Sequence, residues 1–100
     1  MRETPLILVV DDDPGILDLV QEILSPSYQV ITANSVKEAQ KHLQGQGCDL
    51  VLTDMVMPEA GGMELLKYLR LHHLDIPVIV FTGYANFQDA VNAVKLGAFD

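Results

Sequence analysis

Leu6-Ile7-Leu8-Val9-Val10, running directly into Asp11-Asp12-Asp13-Pro14, decides the fold. Five apolar residues in a row, three of them β-branched, are too few for a helix and too uniformly apolar for a strand with one wet face. They predict a strand buried on both sides. Such a strand belongs in a parallel sheet with helices over both faces, because that architecture hides both sides at once. Asp13 suits an N-cap and Pro14 the first helical position, and Ile16, Leu17, Val20, Ile23 and Leu24 fall on one helical stripe. A first helix therefore runs to about Leu24. One helix start needs one cap, so Asp11 and Asp12 stand at the carboxyl end of the strand with no capping duty.

Outward from this unit the alternation repeats. Ser25-Pro26-Ser27 stops the helix, and Tyr28 to Ala33 predicts a second strand. Ser35-Val36-Lys37-Glu38 has capping-box spacing, Val36, Ala39 and Leu43 share a face, and Gly45 to Gly47 closes the second helix. Asp49-Leu50-Val51-Leu52-Thr53-Asp54 predicts a third buried strand ending on a carboxylate; a loop containing Pro and Gly leads to a helix carrying Leu65, Leu66 and Leu69. Ile76 to Thr82 predicts a fourth strand with Pro77 at its start, where a missing amide is tolerated. Asn86 caps another helix, with Phe87, Ala90, Val91 and Val94 inward, and Gly97 ends it. The expectation is one α/β domain over residues 1–100, a doubly wound parallel sheet in the order 2-1-3-4-5. The chain stops at Ala98-Phe99-Asp100, so the sheet is expected to be truncated before or within its fifth strand and to lack the fifth helix.

Composition narrows the partners. One hundred residues, 49% of them hydrophobic, suffice for a single two-sided core. A formal charge of −8 opposes direct contact with nucleic acid or with an anionic membrane surface. No stretch approaches the roughly 20 apolar residues that span a bilayer, and Met1-Arg2-Glu3-Thr4-Pro5 lacks the pattern of a secretory signal. A cytoplasmic location is expected. Cys48 is the single cysteine, so no internal disulfide can form, and it reads as a small packing residue.

The acidic residues carry the chemistry. In a doubly wound sheet, ligands bind beyond the carboxyl ends of the strands where the strand order reverses. Asp11 and Asp12 follow the first strand and Asp54 ends the third, so residues far apart in sequence are expected to meet. Three like charges at close range repel and raise one another's pKa unless a cation or proton lies between them. Mg²⁺ suits such a site, because it prefers oxygen ligands and completes its shell with water and phosphate oxygens. Thr82 ends the fourth strand on the other side of Asp54 and offers a hydroxyl to a group attached there. A metal on one flank and a hydrogen-bond donor on the other suit phosphoryl transfer, with Asp54 as nucleophile. His42, His72 and His73 read as surface or helix-terminal residues and make no Zn²⁺ spacing, while Met55 and Met57 read as loop packing.

Three blocks in order, LILVVDDDP, LTDMVMPEAGG and VFTGYAN, resemble the receiver domains of two-component response regulators, and KLGAFD at the end fits the same pattern. Pro58 lies four and Gly62 eight residues after Asp54, as in that family. The resemblance implies a flavodoxin-like fold. It implies that Asp54 takes a phosphoryl group from a phosphohistidine on a sensor histidine kinase or phosphotransfer protein. It further implies that Asp12, Asp54 and the Val56 carbonyl bind Mg²⁺ directly, with Asp11 acting through water, and that Thr82 and the loop Gly83-Tyr84-Ala85 carry the switch to an output domain beyond residue 100 or to a partner. The wording TGYANFQDAVNAVKLGAFD is similar to receivers that control transcriptional activators with an ATPase output domain.

Two departures stand out. Gly61 occupies a place where the family often has Asp, and the family's Lys and switch aromatic on the fifth strand fall beyond the last residue. An exposed fourth strand would favour edge-strand association or a homodimer, and loss of the Lys would impair phosphorylation or switching while sparing Mg²⁺ binding. Val56 and Tyr84, two residues past Asp54 and Thr82, are bulky and predict slow loss of the phosphoryl group. Two alternatives stay open: a Mg²⁺-dependent phosphohydrolase with a covalent aspartyl nucleophile, against which the apolar Val56 counts, and a pseudo-receiver interaction module, against which the intact acidic set counts.

Overall fold

The computed structural model describes residues 4–55, 57, 61–72 and 74–81. Within them, seven elements alternate along the chain: β1 (Leu6–Val10), α1 (Pro14–Leu24), β2 (Gln29–Ala33), α2 (Val36–Gly45), β3 (Leu50–Asp54), α3 (Gly62–Leu71) and β4 (Val78–Phe81). The strands form one parallel sheet in the order β2-β1-β3-β4. The expected helix after Asn86 and everything expected of a fifth strand lie outside the described residues.

β1 is buried at all five positions, as its apolar run requires. Its side chains alternate between two cores. Ile7 and Val9 join Leu50 and Leu52 of β3 and the Ile16, Leu17, Val20 and Leu24 stripe of α1; Leu8 and Val10 join Val51, Ala33 and the inner faces of α2 and α3. Among the described residues, one helix therefore covers one face and two cover the other. Each fully buried Leu, Ile or Val contributes about 1.5–3 kcal/mol relative to exposure, so these two strands anchor the domain.

The helix ends are set locally. Asp13 Oδ1 accepts the Gly15 N–H at 2.8 Å, giving α1 its N-cap, with Pro14 at the first position. Ser35 Oγ accepts the Glu38 N–H at 3.1 Å. Glu38 in return accepts the N–H of Asn34, at 3.0 Å, one residue earlier than the usual reciprocal bond. Gly47, at φ 74°, takes the left-handed conformation that ends α2 and donates to the His42 carbonyl at 3.0 Å. β4 begins at Val78, later than the expected Ile76, yet the Pro77 carbonyl already accepts the Val51 N–H at 3.0 Å. Proline has no donor to offer a ladder but keeps its acceptor.

At the opposite end of the sheet from the paired aspartates, Asp49 fastens β3 to β1. Its Oδ2 accepts the Leu6 N–H at 2.8 Å, and its own N–H donates to the Leu6 carbonyl at 2.8 Å.

Candidate functional site

The register of β1 on β3 builds the site. Val10 pairs with Thr53, so the next residues of each strand, Asp11 and Asp54, emerge side by side at the carboxyl edge. Asp12 follows Asp11 at the surface. One carboxylate oxygen from each of Asp11, Asp12 and Asp54 lies within 4.8 Å of the others. Asp11 is the buried member at 3% exposure, Asp54 is half-buried and Asp12 is exposed.

Asp11 is also held by its backbone, which donates to the Ala33 carbonyl at 3.1 Å. Its Oδ1 accepts the Asp13 N–H at 2.9 Å. Burial pushes the Asp11 carboxyl up from 3.8 to about 6. The Asp13 N–H pulls the other way, while the charges of Asp54 and Asp12 and a hydrogen bond with Asp12 add to the rise. A carboxyl under this pressure gains from any cation placed among the three oxygens. The donor set, all carboxylate oxygen, fits a hard divalent ion such as Mg²⁺.

The backbone at Asp54 is fixed on three sides. The buried Thr53 hydroxyl donates to the Asp54 carbonyl at 3.1 Å, the Met55 N–H donates to the Phe81 carbonyl at 2.7 Å, and the Gly62 N–H donates to the Met55 carbonyl at 3.1 Å. Asp54 pairs with Phe81 across the β3–β4 ladder, so the residue that precedes Thr82 lies alongside the acidic cluster. Thr82 itself, the Val56 carbonyl, Pro58, His73 and the Gly83-Tyr84-Ala85 loop lie outside the described residues.

Other residues take the packing roles their surroundings allow. Met57 is buried in the core beneath α2 and α3, and Cys48 packs half-buried against that same core. His72 is the C-cap of α3, with its ring centroid 4.2 Å from that of Tyr68. Gly61 caps α3 in an extended conformation with no side-chain hydrogen bond, which is what an Asp there would supply. Sequence reasoning missed Asp49 and Thr53, whose partners are main-chain atoms, and it saw Gly62 only as part of a pattern. Among the described residues, no helix is long and apolar enough to cross a membrane.

Comparison with known proteins gives concordant matches. The family model described as the response regulator receiver domain matches residues 7–100. Response regulator protein PilR of Pseudomonas aeruginosa is 38% identical over 94 residues, 93% of this chain and 21% of PilR. Transcriptional regulatory protein ZraR of Escherichia coli is 40% identical over 95 residues, 94% of this chain and 22% of ZraR. This chain thus spans about a fifth of the length of these relatives. The crystal structure of response regulator protein TrrA from Thermotoga maritima in complex with Mg²⁺-BeF superposes with a TM-score of 0.73 at 33% identity, covering 90% of this chain and 79% of TrrA.

Proposed function

The chain belongs to the response regulator receiver domains, and we propose that Asp54 is the side chain through which this phosphoacceptor switch is set. The observation that carries the reading is the convergence of three carboxylates within 4.8 Å at the end of β3, with Asp54 among them and half-exposed. Asp11, Asp12 and Asp54, with the Val56 carbonyl, would hold Mg²⁺. A bound Mg²⁺ supplies charge neutralisation at the phosphoryl oxygens.

The remaining work falls to the chain's own groups. An Asp54 carboxylate oxygen forms a bond to phosphorus as the P–N bond of a phosphohistidine breaks. The bonding pair returns to the imidazole of the partner, which takes a proton from solvent. Asp54 suits this role because the main chain of Asp54 and Met55 is tied down by three hydrogen bonds, so little ordering remains at the moment of transfer. Thr82, one residue beyond the Phe81 that pairs with Asp54, would donate to a phosphoryl oxygen and carry the change to the loop after it.

The donor is a sensor histidine kinase or a phosphotransfer protein, and the reader is an output domain on the same polypeptide or a separate partner. The name of the transcriptional regulatory protein ZraR supports a role upstream of transcription, and with it a cytoplasmic location. A charge of −8 assigns nucleic-acid contact to the output rather than to this domain. The switch undergoes one phosphorylation per event and is not a turnover enzyme. Incubation with an acyl phosphate and Mg²⁺, followed by intact mass, tests the reading. One phosphoryl adduct is expected on the wild type and none on Asp54→Asn; an adduct that survives the substitution overturns it.

A further inference from the structure

We propose that Gly62 and Thr53 are positioning residues for the acceptor, together forming a slot that grips the main-chain carbonyl of Asp54 and so sets where its carboxylate stands. The proposal rests on the reading of Asp54 as acceptor and metal ligand. A Cβ placed on Gly62 would lie 3.0 Å from the Asp54 carbonyl oxygen, 3.3 Å from Thr53 Cγ2 and 3.4 Å from Met55 Cα. The nearest of these atoms is backbone, which cannot swing aside as a side chain does. Gly62 is the first residue of α3, in ordinary helical backbone, so the position demands glycine for space and not for its φ angle.

From the other side the same carbonyl oxygen accepts the hydroxyl of Thr53, a fully buried residue, at 3.1 Å. Two responses to a methyl at residue 62 are open. Either α3 moves out and strains the Gly62 N–H bond to the Met55 carbonyl, now 3.1 Å, or the Asp54 peptide tilts. The first loosens the hold on the Met55 peptide that follows Asp54, and the second shifts the Asp54 carboxylate relative to Asp11 and Asp12 as the 3.0 Å contact is relieved by a few tenths of an ångström. Mg²⁺ demands near-ideal octahedral geometry, whereas Ca²⁺ accepts irregular coordination. A displaced carboxylate therefore weakens Mg²⁺ more than Ca²⁺, while simple loss of stability has no reason to alter the ratio.

The test is calorimetric titration of the full chain with Mg²⁺ and with Ca²⁺, accompanied by melting curves. Gly62→Ala is expected to lower Mg²⁺ affinity about 10-fold to 100-fold, in the range seen when supports of metal ligands are removed, and to lower Ca²⁺ affinity less. Gly45→Ala, where nothing lies within 4 Å of the new methyl, is expected to leave both unchanged. Thr53→Val keeps the shape, removes the hydroxyl and is expected to shift the ratio in the same direction. Unchanged Mg²⁺ affinity and an unchanged ratio in Gly62→Ala overturn the proposal, and should that variant not fold, the same result in Thr53→Val does so. If Asp54→Asn leaves Mg²⁺ affinity as in the wild type, the reading of Asp54 as a ligand fails and the slot loses its purpose. If Asp54→Asn abolishes binding while the slot variants bind normally, only the positioning role fails.

Discussion

The two ends of β3 carry the same side chain and use it in opposite ways. At the amino end, Asp49 faces the start of β1, and its carboxylate accepts the Leu6 N–H at 2.8 Å. At the carboxyl end, Asp54 stands with Asp11 and Asp12, oxygens within 4.8 Å, and burial, helped by the two neighbouring charges, pushes the Asp11 carboxyl up to about 6. A main-chain donor satisfies a carboxylate in place, whereas carboxylates facing one another favour a bound proton or metal. What separates an aspartate that fastens a strand from one suited to receive a cation is therefore the group across from it.

The most severe test of this contrast is Asp54→Asn, which should reduce phosphoryl incorporation from an acyl phosphate to background, as read by intact mass. Asp12→Asn comes next: it removes an exposed carboxylate from the cluster and should weaken Mg²⁺ at least about 10-fold by calorimetry, with little change in melting temperature. At the other end of the strand, Asp49→Ala should cost about 1–3 kcal/mol in urea unfolding, because it leaves the buried Leu6 N–H without this acceptor. Mg²⁺ affinity should not move; if it falls as far as in Asp12→Asn, the two ends are not independent.

The smallest expected effect is on pH. Because burial raises Asp11 from 3.8 to about 6, the folded chain holds that proton more tightly than the unfolded chain does. This contribution to stability is fully present below 3.8 and is lost as pH rises through about 6. In chelator, melting temperature should fall across that interval more steeply for wild type than for Asp11→Asn. Apparent Mg²⁺ affinity should rise over the same interval as the competing proton leaves. Equal melting slopes in the two proteins would remove Asp11 from the account.

Much of this was legible in the sequence because the signals are local or follow from chain geometry. The run Leu6–Val10 announces a strand buried on two faces, Asp13-Pro14 announces a helix start, and the doubly wound strand order places β1 beside β3. From there the meeting of Asp11 with Asp54 is nearly forced. The partner of Asp49 was not legible, since Leu6 lies 43 residues away and nothing near Asp49 announces it. Glu38 reaching Asn34 instead of Ser35 is a matter of side-chain rotation that spacing does not encode. The need for glycine at residue 62 was hidden for the same kind of reason, because the atom it spares belongs to another element.

The alternation of β1 between two cores has a consequence for how the domain comes apart. Ile7 and Val9 are locked under α1, while Leu8 and Val10 are locked under α2 and α3, and all four belong to one five-residue backbone. Neither layer of helices can leave without baring its side of that strand, so the two cores are expected to unfold together, and amides of residues 7–10 and 50–52 should exchange with deuterium through the most complete opening. The acidic cluster, standing at the end of that strand, is then expected to be present whole or lost together with the sheet.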